Sequence, residues 1–127
     1  MKKGPSILIV EDESALLQVL ADKFEREGFL VYRGADGIEG LKNSLKYKPD
    51  ILVLDIVMPS MDGLTMLKKL RENKWGQQVP VLILSNLSEP EHGEIATTDS
   101  RVGYLVKSNW GLDDVVKKVK ETLGILI

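Results

Sequence analysis

Ile51-Leu52-Val53-Leu54-Asp55 is the stretch on which the fold turns: four consecutive apolar residues that stop at a carboxylate. A run that is apolar at every position, without polar alternation, suits a parallel strand buried on both faces. Residues 7–10, 81–84 and 104–106 repeat the pattern, and 29–32, after Gly28, is a weaker fifth run that belongs near a sheet edge. Segments of helical period lie between them. Leu16, Leu20 and Phe24 recur every four residues, with Ser14 as candidate N-cap and Gly28 as the stop. Ile38, Leu41 and Leu45 mark a second helix, and Leu64, Leu67 and Leu70 a third. A fourth is expected across 88–98 on a poorer pattern. The last runs over 112–123, with Val115, Val116 and Val119 as its apolar stripe and Lys117, Lys118, Lys120 and Glu121 as its wet face. Strands alternating with helices imply right-handed crossovers and hence an α/β fold. The expectation is a five-stranded parallel sheet, flavodoxin-like and doubly wound as (βα)5, in strand order 2-1-3-4-5.

Composition limits what such a chain can do. Its 127 residues suit one domain, with a core over about 5–123 and no room for a second unit of ordinary size. Seventeen Lys and Arg against nineteen Asp and Glu give a net charge of −2, which argues against direct nucleic-acid binding through bulk electrostatics. The absence of cysteine removes disulfide scaffolds, thiol catalysis and Cys-ligated zinc. The opening Met-Lys-Lys imitates a signal peptide, but the apolar run behind it ends at once in Glu11-Asp12-Glu13, too short to target or span a membrane. A cytoplasmic location without membrane contact is expected.

In a doubly wound sheet, ligands bind beyond the carboxyl ends of the strands, near the switch between strands 1 and 3. Glu11 and Asp12 stand after the first run, Asp55 after the third, Ser85 after the fourth and Lys107 after the fifth. Two carboxylates about 4 Å apart repel by roughly 4 kcal/mol at an effective dielectric near 20, so three together require a shared proton or a cation. An all-oxygen site with open positions suits Mg²⁺ completed by a phosphate. A carboxylate nucleophile beside a divalent cation, a lysine and a hydroxyl is equipped for phosphoryl transfer.

Residues 7–13 (ILIVEDE), 52–63 (LVLDIVMPSMDG), 82–85 (LILS) and 104–107 (YLVK) resemble, in order and spacing, the receiver domain of two-component response regulators of the chemotaxis-regulator type. The resemblance implies that Asp55 accepts a phosphoryl group from a sensor histidine kinase or histidine phosphotransfer protein, the chain catalysing only its own phosphorylation and dephosphorylation. It implies Mg²⁺ held by Asp12, Asp55 and the backbone carbonyl of Val57, with Glu11 acting through a water. Lys107 would contact the phosphoryl oxygens and Ser85 would move to meet them. Tyr104 occupies the family's aromatic switch position, on the face made by the fourth helix, fifth strand and fifth helix. That face would signal to a downstream partner or output domain, and the resemblance allows a phosphorylation-linked dimer.

Some positions depart from the family pattern. Lys107 is followed by Ser108 rather than proline, so a trans bond is expected there. Asn86 stands where the family favours a small residue. Val57 and Leu87, both apolar, cannot orient an attacking water, which predicts slow self-dephosphorylation. His92, the lone histidine, reads as a surface residue, and Trp75 and Trp110 as partial core covers. A haloacid-dehalogenase-type phosphatase needs an acid two residues beyond the nucleophile, where Val57 stands, and a flavin or nucleotide site needs Gly, Ser or Thr donors where Glu11-Asp12-Glu13 stand. A degenerate receiver that binds partners without phosphorylation is the remaining alternative, and the set of Asp12, Asp55, Ser85 and Lys107 weighs against it.

Overall fold

Three of the runs that are apolar throughout, 7–10, 51–54 and 81–84, become the middle of a sheet, whereas the fourth, 104–106, falls on a half-buried edge strand. The computed structural model describes residues 4–85, 99–106 and 110–125. Along the chain they form β1 (Ser6–Val10), α1 (Ser14–Arg26), β2 (Leu30–Gly34), α2 (Gly37–Tyr47), β3 (Ile51–Asp55), α3 (Gly63–Glu72), a 3-10 turn (Trp75–Gln77), β4 (Val81–Ser85), β5 (Val102–Val106) and a C-terminal helix (Leu112–Leu123). All strand pairings are parallel, in the order β2-β1-β3-β4-β5. The weak fifth run is indeed an edge strand, β2, and β5 forms the opposite edge.

Alternate residues of each strand feed two cores, as the pleat requires. Ile7, Ile9, Ile51 and Val53 point toward α1 and the C-terminal helix, where they meet Leu17, Leu20, Phe24, Val116 and Val119. Leu8, Val10, Leu52 and Leu54 point the other way, to Met66, Leu67 and Leu70 of α3, with Leu41 and Leu45 of α2 packed behind. Trp110 and Trp75 lie half-buried against the first and second core respectively, in the covering role expected of them.

Four local expectations need correction. Ser14 is not the N-cap of α1 but its first helical residue; Glu13 caps it, because the Glu13 carbonyl already accepts the Leu17 N–H at 2.9 Å. Ile38 does not face the core and is 54% exposed, whereas Gly37, Gly40 and Ser44 form the buried face of α2. The glycines let α2 approach so closely that a Cβ at Gly40 would lie 2.8 Å from both methyls of Val10, which rotates the larger Ile38 outward. Phe29 falls just before β2 and packs edge-on against Phe24 (5.1 Å between centroids), while β5 begins earlier than expected, at Val102. Gly28, with φ +92°, stops α1 as expected. The helix expected across 88–98, together with Asn86, Leu87, His92 and the Lys107–Ser108 bond, lies outside the described residues.

Candidate functional site

β1 and β3 are neighbours in the sheet but first and third in chain order, so their carboxyl ends border the crevice at the topological switch. Val10 pairs with Leu54, which places Glu11 and Asp55 side by side at the end of the ladder. The Glu11 N–H donates to the Gly34 carbonyl at 3.0 Å, extending the β1–β2 ladder one residue past the strand and holding the Glu11 backbone in place. Its side chain then folds over the crevice, where Oε2 accepts the Glu13 N–H at 3.1 Å. Asp55 Oδ1 accepts the Ile56 N–H at 2.9 Å. Both carboxylates are almost wholly buried, at 2% and 7% exposure, while Asp12 is open to solvent.

One carboxylate oxygen from each of Glu11, Asp12 and Asp55 lies within 4.8 Å of the other two. At that separation and an effective dielectric near 20, each ionised pair repels by roughly 3 to 4 kcal/mol. All three donors are hard oxygens, and Asp12 leaves one side open to water and ligand, so the set fits a small divalent cation that keeps some of its hydration. It offers no imidazole or thiolate for softer metals.

The loop after Asp55 completes the rim. Val57 is 64% exposed, and its backbone carbonyl accepts no hydrogen bond from the described residues. Ser60 takes a left-handed φ of 66° while the Met61 N–H donates to the Pro59 carbonyl at 2.7 Å across it, so the loop's turn at positive φ falls on serine and not on Gly63. Gly63 serves a different need. A Cβ there would sit 2.1 Å from the Asp55 carbonyl oxygen, and its N–H donates to the Ile56 carbonyl at 2.8 Å. Asp62 caps α3 by accepting the Thr65 N–H at 2.7 Å. The sequence signal for the cap is the Asp-x-x-Thr spacing of Asp62 and Thr65, while nothing in the sequence marks Gly63 as a point of close approach.

Of the residues singled out from sequence, Glu11, Asp12 and Asp55 are brought together. Ser85 ends β4, next to β3, and its side chain lies outside the described residues, as does Lys107, which directly follows β5. Tyr104 lies half-buried on the middle of β5, packed against the core on the α3 side of the sheet. Among the described residues, no helix is long and apolar enough to cross a membrane.

Comparison with known proteins agrees with this geometry. Residues 7–120 match the family described as response regulator receiver domain. The chain is 35% identical over 120 residues to the transcriptional regulatory protein PrrA of Mycobacterium leprae, covering 94% of this chain and 50% of that protein. It is 39% identical over 123 residues to the Regulator of RpoS of Escherichia coli, covering 97% of this chain and 33% of that one. It thus spans half or less of the length of these curated relatives. Among solved structures, the receiver domain of the Francisella response regulator 1452 superposes with a TM-score of 0.85 at 29% identity, over 95% of this chain and 98% of that one. A chain of the CheX–CheY–BeF3–Mg²⁺ complex from Borrelia burgdorferi gives 0.81 at 29% identity, over 93% and 88%. The parallel sheet in order 2-1-3-4-5, the carboxylates at its switch point and the family match over 7–120 together make this chain a member of the response regulator receiver domain family of two-component systems.

Proposed function

We propose that this chain is a Mg²⁺-dependent phosphoacceptor switch, with residues of about 5–123 forming a single receiver domain and Asp55 as the phosphorylated residue. The observation that carries this reading is the close set of Glu11, Asp12 and Asp55 oxygens at the β1/β3 switch point. When bound, the cation neutralises the carboxylates and the incoming phosphoryl oxygens. Asp12, Asp55 and the Val57 carbonyl are its direct ligands in this reading, with Glu11 acting through a water. The Val57 carbonyl, which accepts no hydrogen bond among the described residues, and the open side at Asp12 fit that division.

The Asp55 oxygen not held by the Ile56 amide attacks the phosphorus of a phosphohistidine on a sensor kinase or phosphotransfer protein. An O–P bond forms, the N–P bond breaks, and the electron pair leaves with the imidazole nitrogen. Burial of Asp55 limits the approach of water to the acyl phosphate, and Val57 brings no polar group to orient one. Lys107 and Ser85, at the ends of β5 and β4, contact the phosphoryl oxygens, and the added negative charge draws Ser85 toward them. Tyr104 follows on the face that meets a partner or an output domain, and a phosphorylation-linked dimer is one form this signal takes. The Borrelia relative, a complex with BeF3 and Mg²⁺, supports the choice of ion and ligand chemistry.

The test is incubation with acetyl phosphate and Mg²⁺ followed by intact mass. The gain of one phosphoryl group, abolished by EDTA and by Asp55→Asn, is expected; no gain in the parent chain, or a gain that survives Asp55→Asn, overturns the reading.

A further inference from the structure

Arg71, in the last turn of α3, is used by none of the chemistry above, yet its guanidinium joins three separate segments. Nε donates to Asp99 Oδ2 at 2.8 Å, and Nη1 donates to the carbonyls of Gly76 and Val79 at 2.6 and 2.7 Å. Nη2 is buried and finds no partner among the described residues. Gly76 and Val79 lead into β4, and Asp99 leads into β5. Asp99 is itself fixed to β5: Oδ1 accepts the Arg101 N–H at 2.9 Å and its carbonyl accepts the Val102 N–H at 3.1 Å. The Arg101 carbonyl in turn accepts the Val81 N–H at 2.9 Å, at the first residue of β4.

One planar cation therefore ties the amino ends of β4 and β5 to each other and to α3. Register along a parallel pair is set at one end and carried to the other: Val81 pairs with Val102, and Ser85 with Val106. The site divides along the same line. Its acidic half hangs on β1 and β3, to which Arg71 makes no hydrogen bond among the described residues. Its phosphoryl-contacting half hangs on the carboxyl ends of β4 and β5, whose relative height depends on the clamp.

We infer that Arg71 and Asp99 are remote positioning residues for phosphoryl binding, setting the β4–β5 register that presents the carboxyl ends of those strands to the phosphoryl group while leaving the cation site alone. This inference rests on the proposed phosphoacceptor reading. Arginine suits the task because its fork makes several bonds in one plane, which a lysine cannot reproduce.

The test compares the parent chain with Asp99→Asn, Asp99→Ala and Arg71→Lys at a temperature well below all their melting points. Calorimetry measures Mg²⁺ binding, and then beryllium trifluoride binding at saturating Mg²⁺. The expected result is unchanged Mg²⁺ affinity with beryllium trifluoride bound about 3- to 10-fold more weakly, a range typical of remote coupling, and with the loss smallest in the conservative Asp99→Asn. Equal beryllium trifluoride affinity in parent and variants overturns the inference, and so does a parallel loss of both affinities, which marks general loosening. A parent chain that binds Mg²⁺ but no beryllium trifluoride refutes instead the phosphoacceptor reading beneath it. Asp99→Asn and Arg71→Lys keep most of the local volume, so the comparison survives a failure of Asp99→Ala to fold.

Discussion

Replacing Gly63 with alanine places a methyl group where the structure has none to spare. The added Cβ falls 2.1 Å from the Asp55 carbonyl oxygen, 2.9 Å from the Ile56 Cα and 3.0 Å from the Asp55 carbonyl carbon. All three are backbone atoms, so no rotamer change relieves the overlap, and β3 and α3 have to separate by about 1 Å to restore ordinary contact. Overpacking of this kind costs about 1 to 3 kcal/mol. The separation also stretches the 2.8 Å bond from the Gly63 N–H to the Ile56 carbonyl, worth about 1 kcal/mol. The stiffer unfolded chain returns about 0.4 to 1 kcal/mol. The net loss is about 1 to 3.5 kcal/mol, or roughly 3 to 18 °C in melting temperature for a domain of this size. Gly103→Ala is the control, since its Cβ would meet only the far ends of Leu82 and Lys118, at 3.3 and 3.6 Å. Urea unfolding and calorimetry of both variants decide the matter. A Gly63→Ala chain that melts within two or so degrees of Gly103→Ala means that β3 and α3 do not meet as tightly as described. Because the displaced carbonyl belongs to Asp55, weaker Mg²⁺ binding accompanies the loss of stability.

Other perturbations probe other parts. Phe24→Ala, at a fully buried ring packed against Phe29, lowers unfolding stability by about 3 to 5 kcal/mol in urea titrations. Burial pushes the Asp99 carboxyl up, but the hydrogen bonds from Arg71 and the Arg101 amide, with the charges of both arginines, outweigh it and hold the group below the ordinary carboxylate value. The stabilisation from this depressed group is complete above the unfolded-state value and disappears as pH falls through the lower folded-state value. The acid limb of the stability profile therefore flattens in Asp99→Asn, measured by thermal melts across the acid range. Polar side chains in place of Val57 bring a group able to orient water to the rim and shorten the lifetime of the phosphorylated form severalfold, measured by loss of the phosphoryl mass; an unchanged or longer lifetime contradicts the role given to Val57. On the other face, the hydrogen bond and charge of Asp113 raise the Lys23 pKa, and those of Lys120 lower that of Glu27, with ion pairs of 3.0 and 2.7 Å joining α1 to the C-terminal helix. Lys120→Met loosens that junction, read as faster hydrogen exchange in the C-terminal helix, by an amount that shrinks with added salt.

The sheet was legible because its central strands are buried on both faces and so must be apolar at every position: 7–10, 51–54 and 81–84 could be read as strands with no knowledge of their neighbours. The acidic cluster was legible for the converse reason, since charges that interrupt such runs stand at strand ends by construction. What escaped was set by close approach and not by periodicity. The buried face of α2 is made of Gly37, Gly40 and Ser44, which carry almost no hydrophobic signal, so the periodic Ile38 misleads. Gly63 carries no periodic signal either, yet its missing Cβ accommodates the Asp55 carbonyl, while Ser60 takes the positive φ. Arg71 gave no signal at all, because its partners at 76, 79 and 99 follow no sequence period and meet only in the folded chain.

Reductive trapping of the phosphorylated chain bears most directly on the assignment of Asp55. An aspartyl phosphate, an acyl phosphate, is reduced by borohydride to the corresponding alcohol, so after incubation with acetyl phosphate and Mg²⁺ the peptide spanning β3 should carry homoserine at position 55 and unmodified aspartate at 62. Reduction at Asp12 or Asp62, or a phosphoryl group that resists borohydride and remains on a hydroxyl, would contradict the placement of the phosphoacceptor at the end of β3.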